Sequence, residues 1–301
     1  MKKYIHTPFK GGSGGVKLGL EPIEEPCWLE VDTLFIKEIE KKRELFNSNK
    51  NKVFQAIDES QESQIELLRY IKNYLSEYYS DNFTFEENRI QIEINGETLQ
   101  IQEDPLKPLE TSSFLVQEDL LLMLPDANNS YRLGAASLCA PSNWSLTEKF
   151  KKSLLGLHAG VPGYKEKISR RVNKIFCRLE EDRIFERFNW SIYDNPSLFQ
   201  PKKSKSDVTR RSDLKVNDAG DKLFIRVERQ TIRRLPISHA VIFTVRVHVY
   251  PLSSIKDDLN KLTDLRLAIE NLPKRMKRYK ALDQIEKPIL GWLEERIVKL
   301  G

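Results

Sequence analysis

The segment from Phe224 to Leu252 most constrains the fold, because its composition and alternation are typical of two long β-strands joined by a short turn at Pro236–His239. The second strand is rich in β-branched and aromatic residues, which suit a pleated, half-buried surface. Its alternating apolar side chains share one face, which must pack against a core: Val241, Phe243, Val245, Val247 and Val249. The pattern therefore predicts a long antiparallel hairpin.

The other side chains of this hairpin are unusually polar. On the second strand they are Thr244, Arg246 and His248. On the first strand, Arg226, Glu228 and Gln230 face one way, and Arg229, Thr231 and Arg233 face the other. One interpretation is a solvated face with cross-strand ion pairs, which we favour because such pairs are common. The other is a concave polar surface that holds an anionic ligand. The turn length decides whether Glu228 or Arg229 lies opposite Arg246, and the sequence leaves both registers open.

Composition places this chain of 301 residues, with 40% hydrophobic and 31% charged residues, among soluble globular proteins of one large or two ordinary domains. It has no apolar run long enough for a transmembrane helix, and its N-terminus lacks the apolar core of a signal peptide. We therefore expect a cytoplasmic protein with no membrane partner. The net charge of +5 is spread over mixed signs, so no nucleic-acid partner is expected. The basic stripe Pro273–Lys280 is interpreted as a solvated helix face; if it is functional, docking of an acidic partner protein is as plausible as binding of nucleic acid.

Several cofactor sites are excluded by missing motifs. The three cysteines, Cys27, Cys139 and Cys177, are isolated and form no cluster-binding or zinc pattern. Gly11–Gly15 lacks the ending of a phosphate-binding loop, and neither a dinucleotide fingerprint nor a nucleophile elbow occurs. The chain therefore has no visible means of binding its own nicotinamide, flavin or iron–sulfur cluster.

Helices and strands alternate irregularly along the rest of the chain, which predicts an α+β fold. Predicted helices are Asp32–Asn47, Glu62–Tyr79, Ser145–Leu157 (from a capping box of Ser145 and Glu148), Tyr164–Glu181 and a helical C-terminal tail, Ile255–Leu300, broken at Pro273. Predicted strands are a hairpin of Ile90–Ile94 and Leu99–Ile101 around Asn95-Gly96, then Leu120–Leu124, Arg132–Cys139 and Asn189–Tyr193.

His158 is the histidine whose setting best suits a metal ligand. It ends a predicted helix, and the Gly and Pro that follow would fix its imidazole in one direction, as an axial iron ligand requires. From spacing alone, a packed or surface histidine remains the favoured alternative. The hairpin arginines suit carboxylates, and haem propionates are one such ligand.

Segments spread along the chain resemble the haem-dependent oxidative N-demethylase family. They are Leu18–Pro22 with Trp28; Gln117–Asp119; Arg132–Cys139 with Pro141, Ser142 and Trp144; Leu157–Tyr164; Arg187 with Asn189–Ser191; and Arg226–Pro236 with Phe243–Arg246. The resemblance extends over nearly the whole chain, and its weight lies in the order and spacing of these segments.

The resemblance implies a PAS-like antiparallel β-sheet surrounded by helices, with haem b in the cavity. The chain would then be one domain, with an extended arm at 1–30, a PAS-like core at 31–252 and a helical tail at 253–301. It further implies a mono-oxygenase that converts a small secondary amine such as dimethylamine to a primary amine and formaldehyde with O2. Electrons would come from NADPH through separate flavin and iron–sulfur partner proteins, of the reductase or ferredoxin type.

The resemblance also implies roles for individual residues. His158 lies in the family's histidine-containing loop and becomes the candidate axial ligand. Arg226, Arg229 and Arg246 are candidates for pairing with the propionates or, structurally, with Glu228. Glu228 is the candidate catalytic residue, holding the ammonium of the amine, although an ion pair within the sheet is the favoured alternative.

Two further points qualify this assignment. The family's loop often has proline where this chain has Gly160. A glycine at this position makes the loop less rigid. Other functions also remain open, because a fold does not fix a function. The chain could be a PAS-like sensor of haem or a small ligand, or a scaffold subunit that has lost haem.

Overall fold

The computed structural model describes residues 6–12, 19–126, 130–162, 169–201 and 213–301. Three features of the sequence fall wholly or partly outside these ranges: residues 13–15 of the glycine-rich segment, the first part of the helix predicted from Tyr164, and the polar loop around Lys202.

The β-strands form two antiparallel sheets. The strands are β1 Glu21–Ile23, β2 Phe54–Ala56, β3 Phe83–Phe85, β4 Arg89–Ile94, β5 Glu97–Gln102, β6 Asp119–Pro125, β7 Tyr131–Ser137, β8 Ile184–Tyr193, β9 Phe224–Arg234 and β10 Val241–Pro251. The large sheet has seven strands in the order β1-β8-β9-β10-β6-β7-β2, and the small sheet joins β3, β4 and β5. The predicted hairpin, β9 and β10, lies at the middle of the large sheet.

Helices cover the sheets. They are α1 Phe35–Val53, α2 Gln61–Tyr78, α3 Pro108–Leu115, α4 Leu146–Lys149, α5 Leu154–Leu157, α6 Ser169–Arg178, α7 Ala219–Lys222, α8 Leu259–Glu270, α9 Lys274–Tyr279 and α10 Glu286–Leu300. The architecture is therefore α+β with a large antiparallel sheet, as predicted. The helical tail and its break at Pro273 are confirmed. No helix in the described ranges combines the length and apolarity needed to cross a bilayer.

The alternation of β10 correctly predicts one apolar face. Val241, Val245 and Val247 are buried in a cluster with Leu121 of β6 and Leu133 of β7. The small hairpin is also as predicted, and Asn95 and Gly96 both have positive φ (53° and 82°), as its primed turn requires. Strong local patterns thus located these strands.

The expectation of a solvated second face on the central hairpin is wrong. Thr244, Arg246 and His248 are 0%, 2% and 5% exposed. The segment before α1 lies across this face, because Arg246 bonds to Asp32 and His248 bonds to Glu30. The charged side chains are therefore buried with partners, which the alternation of one strand does not reveal.

The register of the hairpin places Arg246 opposite Arg229, and Glu228 opposite Val247. Two arginines consequently lie side by side on one face, while Glu228 points to the other. A Glu228–Arg246 pair across the two strands, which one turn length would have allowed, does not form.

The single helix predicted from Ser145 to Leu157 is wrong, because the structure has two short helices, α4 and α5. Between them Lys151 has a positive φ of 62°. Its N–H and the Lys152 carbonyl bond to the backbone of Leu133 in β7. Ser145 Oγ lies 2.7 Å from Thr147 Oγ1 and makes no cap. Pairing with the strand edge thus takes up backbone groups that a continuous helix would need.

Candidate functional site

The predicted site residues lie on two faces of the large sheet. The Glu228 face carries Arg226, Glu228 and Gln230 from β9, together with Arg187 and Asn189, which lie opposite Gln230 and Glu228 on β8. The Arg229 face carries Arg229 and Thr231 from β9, with Arg246 and Thr244 opposite them on β10. Because successive strand residues alternate, the two sets cannot contribute to a single pocket.

Glu228 is held by amides rather than by an ion pair. Its Oε2 accepts hydrogen bonds from Asn189 Nδ2 (3.2 Å) and Gln230 Nε2 (2.9 Å). Among the described residues, Oε1 has no hydrogen-bond donor and no cation lies within salt-bridge distance. The carboxylate is thus oriented through one oxygen, and the intrasheet ion pair expected from residue types does not form.

Lys280 is connected to Glu228 through the side chain of Asn189. The residue follows α9, and its Nζ donates to Asn189 Oδ1 (2.8 Å) and to the Trp190 carbonyl. Burial lowers the pKa of Lys280 to about 8, with Glu228 opposing and Arg187 reinforcing that shift. The amide of Asn189 therefore bridges Lys280 and Glu228. Its Oδ1 accepts a hydrogen bond from Lys280, and its Nδ2 donates one to Glu228.

His158 ends α5, and its orientation is fixed by that short helix. Ser153 caps α5 by accepting from Gly156 N (3.3 Å), and His158 Nδ1 lies 2.8 Å from the Leu154 carbonyl. A carbonyl only accepts, so Nδ1 carries the proton. Burial lowers the pKa of His158, as do the charges of Arg187 and Lys149. The neutral imidazole then has its lone pair at Nε2, the tautomer that a metal-ligating histidine needs.

The loop after His158 has a geometry that proline cannot adopt at its second residue. Gly160 has φ +98°, whereas the proline ring fixes φ near −65°.

Arg187 is the cation on the Glu228 face whose charge acts on His158. Its charge lowers the pKa of both His158 and Lys280, and it is half-buried on β8 two residues before Asn189. Half-buried apolar side chains pack nearby against the cluster that contains Val245 and Val247: Leu157, Phe185, Phe243 and Val249. The Glu228 face thus combines an imidazole, a carboxylate and an apolar surround.

Arg226 shares this face but is used to join loops. Its guanidinium donates to Ser142 Oγ (2.9 Å) and to the carbonyls of Ala140 (2.9 Å), Ser197 (3.1 Å) and Leu198 (2.9 Å). These bonds tie the loop before α4 to the segment after β8. Burial lowers the pKa of Arg226.

Arg229 and Arg246 belong to a buried ionic cluster on the opposite face. Arg229 Nε lies 2.8 Å from Glu186 Oε2. Arg246 contacts Asp32 at 2.9 Å and Glu38 at 2.8 Å. These contacts are structural pairing, which the sequence analysis held open, although the acidic partners are not Glu228.

Three members of the Glu228 face were not assigned from the sequence. Arg187 and Asn189 occur in the family-like segments, and alternation on β8 would have placed them on one face. Lys280 was noted only as part of the basic stripe, because its partner Asn189 lies 91 positions away along the chain. Within the basic stripe, Lys274, Arg275 and Arg278 are exposed, as the solvated-face interpretation predicts.

Fold and site together define an α+β protein with a large antiparallel sheet that carries polar residues on both faces. The comparison with family models identifies which group of proteins this is: residues 19–290 match the model described as haem-dependent oxidative N-demethylase, alpha subunit-like. The chain belongs to this family, which confirms the resemblance found in its sequence.

Proposed function

We propose that the chain binds haem b on the Glu228 face of a PAS-like sheet and oxidatively N-demethylates a small secondary amine. His158 is the axial ligand of the iron, and Glu228 binds the ammonium of the substrate. The observation that carries this proposal is the Glu228 carboxylate, held by two amides on a face whose apolar neighbours include Leu157, the residue before His158.

The side chains of this face fit a haem. A neutral imidazole with Nδ1 bonded to a carbonyl is the usual form of an axial ligand. Arg187 is a cation close to His158 and suits a propionate. When bound, the haem would supply the activation of O2. Arg226 would support the pocket by fixing its loops, while Arg229 and Arg246 would stabilise the sheet from behind.

Glu228 suits a protonated amine because its charge is not neutralised by a contact ion pair with any described residue. The amides of Asn189 and Gln230 hold one oxygen, so the carboxylate is oriented before substrate arrives. An ammonium would gain a charge-assisted hydrogen bond there. Half-buried Phe243 and Val249 would contact its methyl groups and limit access of water.

The electrons for this reaction would come from separate proteins. Cys27 and Cys177 are exposed and Cys139 is buried, each on a different part of the chain. This arrangement supports the proposal that NADPH, flavin and iron–sulfur centres belong to partners in the cytoplasm. The exposed Lys274, Arg275 and Arg278 offer such a partner a basic docking surface.

The test is the absorption spectrum of purified protein after addition of haem, with His158→Ala compared to wild type. A Soret band in wild type that shifts or disappears in His158→Ala is the expected result. His239→Ala is the matched control, because His239 is an exposed histidine in the β9–β10 turn. Formaldehyde release from dimethylamine, with a reductase system and NADPH, then tests the reaction.

Other outcomes favour the other functions. A band that is identical in wild type and both variants would disprove the assignment of His158. Haem binding without formaldehyde release from amines would favour a sensor. Protein that stays colourless after haem addition would favour a scaffold subunit.

A further inference from the structure

A second group of potential metal ligands lies on the Arg229 face. His6 Nε2 lies 2.8 Å from Glu30 Oε1, and His248 Nε2 lies 2.8 Å from Glu30 Oε2. One ligand atom from each residue lies within 4.8 Å of the others. Three separate parts of the chain contribute: the segment before residue 12, the segment before α1, and β10.

The group is well enclosed. Glu30 and His248 are 4% and 5% exposed, and His6 is half-buried. The His6 ring contacts Phe188 (centroids 4.8 Å apart) and His248 (5.0 Å), and His248 stacks on Tyr250 (6.1 Å). These contacts orient both imidazoles around one carboxylate.

The ionic cluster around Glu30 has more negative than positive groups. Its carboxylates are Glu30, Asp32, Glu38, Glu118 and Glu186, and its cations are Lys42, Arg229 and Arg246. Burial raises the pKa of Glu38 and of Glu118. Glu118 bonds through Oε1 to Glu30 N (3.0 Å), while its buried Oε2 has no hydrogen-bond partner among the described residues.

Arg229 lies closer to Glu186 than to Glu30. Its Nε is 3.6 Å from Glu30 Oε1 but only 2.8 Å from Glu186 Oε2, and its other nitrogens donate to the carbonyls of Cys27 and Trp28. The groups at hydrogen-bond distance from the Glu30 carboxylate oxygens are therefore the two imidazoles.

We infer that His6, Glu30 and His248 bind a divalent transition-metal ion, for which Zn2+ is the natural probe. Two imidazole nitrogens and one carboxylate oxygen form a common zinc ligand set, completed by water. Zinc–nitrogen and zinc–oxygen bonds are about 2.0–2.2 Å long, so both imidazoles must move to within that distance of the ion. His6 can make that adjustment, because it lies outside every helix and strand. The ion would fasten the segment of His6 to β10.

The first experiment is a titration of tag-free protein, stripped with EDTA and loaded with haem, by Zn2+ in a calorimeter. Wild type should bind one equivalent tightly, and His6→Ala should bind at least about ten-fold more weakly. His239→Ala is the control, because His239 is an exposed histidine in the β9–β10 turn and its removal should leave zinc binding unchanged. The inference fails if wild type binds no tight equivalent, or if His6→Ala binds as wild type does.

A second experiment needs no variant, so misfolding cannot affect it. X-ray absorption at the zinc edge of the one-equivalent complex should show nitrogen and oxygen ligands at about 2.0–2.2 Å, with imidazole scattering. Sulfur at about 2.3 Å would assign the ion to a cysteine and overturn the inference. This readout does not depend on haem, so it stands or fails separately from the proposed demethylase activity.

Discussion

Arg229 and Arg246 lie directly opposite each other on neighbouring strands, and both are at least 97% buried. Like charges at such positions repel. The arrangement is stable because the acidic partners are drawn from elsewhere: Glu186 for Arg229, and Asp32 and Glu38 for Arg246. The polar centre of this sheet face therefore depends on the segment before α1.

Asp32→Asn tests that dependence. The change keeps the size of the side chain but leaves Arg246 with less negative charge, and loss of one partner of a buried ion pair costs about 3–5 kcal/mol. We expect the free energy of unfolding in urea to fall by about that amount. Glu44→Gln, in the exposed pair with Lys41, is the control and should have no measurable effect. Equal stability of the two variants would contradict the role of Asp32.

Glu228→Gln tests amine binding. Glutamine keeps the shape of the side chain, but it cannot pair with an ammonium as a carboxylate does. We expect dimethylamine to perturb the Soret band only at concentrations at least about ten-fold higher, since hydrogen bonds to charged groups contribute about 1.5–3 kcal/mol. The Soret band without amine should be unchanged. Exposed Glu40→Gln should behave as wild type, and unchanged amine affinity in Glu228→Gln would remove Glu228 from the site.

The lowered pKa of Lys280 predicts that the free energy of unfolding depends on pH. Its pKa falls from 10.5 to about 8 in the folded protein. Between these values the unfolded chain holds a proton that the folded protein has released, so stability rises with pH. The free energy of unfolding of wild type should therefore increase relative to Lys280→Met between pH 8 and 10. A difference that stays constant over this range would show that Lys280 is fully charged in the folded protein.

Gly160→Pro tests the loop that carries His158. Proline cannot reach φ +98°, so the chain after the histidine must change direction. We expect a weaker Soret band on haem addition, with little change in far-ultraviolet circular dichroism. Gly160→Ala separates the two causes, because it strains the same φ without imposing a ring and should have the smaller effect. Full haem binding by Gly160→Pro would show that this geometry is not needed.

Local sequence patterns located most regular elements correctly. Alternation predicted the central hairpin, Asn95-Gly96 predicted the small one, and helical spacing with Pro273 predicted the tail. These features depend on neighbours within a few residues, where backbone preference and side-chain direction act directly. The Ser145–Leu157 helix failed because β7, a strand distant along the chain from α5, bonds to the backbone of Lys151 and Lys152.

The roles of His158 and Glu228 stay predictions, whereas the structure places Arg229 and Arg246 on the sheet face away from Glu228. Burial of the second hairpin face, the pairing of the two arginines with acidic residues, and the contact of Lys280 with Asn189 were not visible in the sequence. Each joins residues between 43 and 218 positions apart.

One physical cause explains why local patterns located the strands and helices but not the contacts between them. Residue order fixes which side chains alternate along a strand, where turns form, and which family the chain belongs to. Which side chain meets which partner depends on the register of the strands and on the segments that pack over them, because charges separated by tens or hundreds of residues become neighbours only after the chain has folded. The positions of Glu30, Asp32 and Lys280 beside the central hairpin follow from that packing alone.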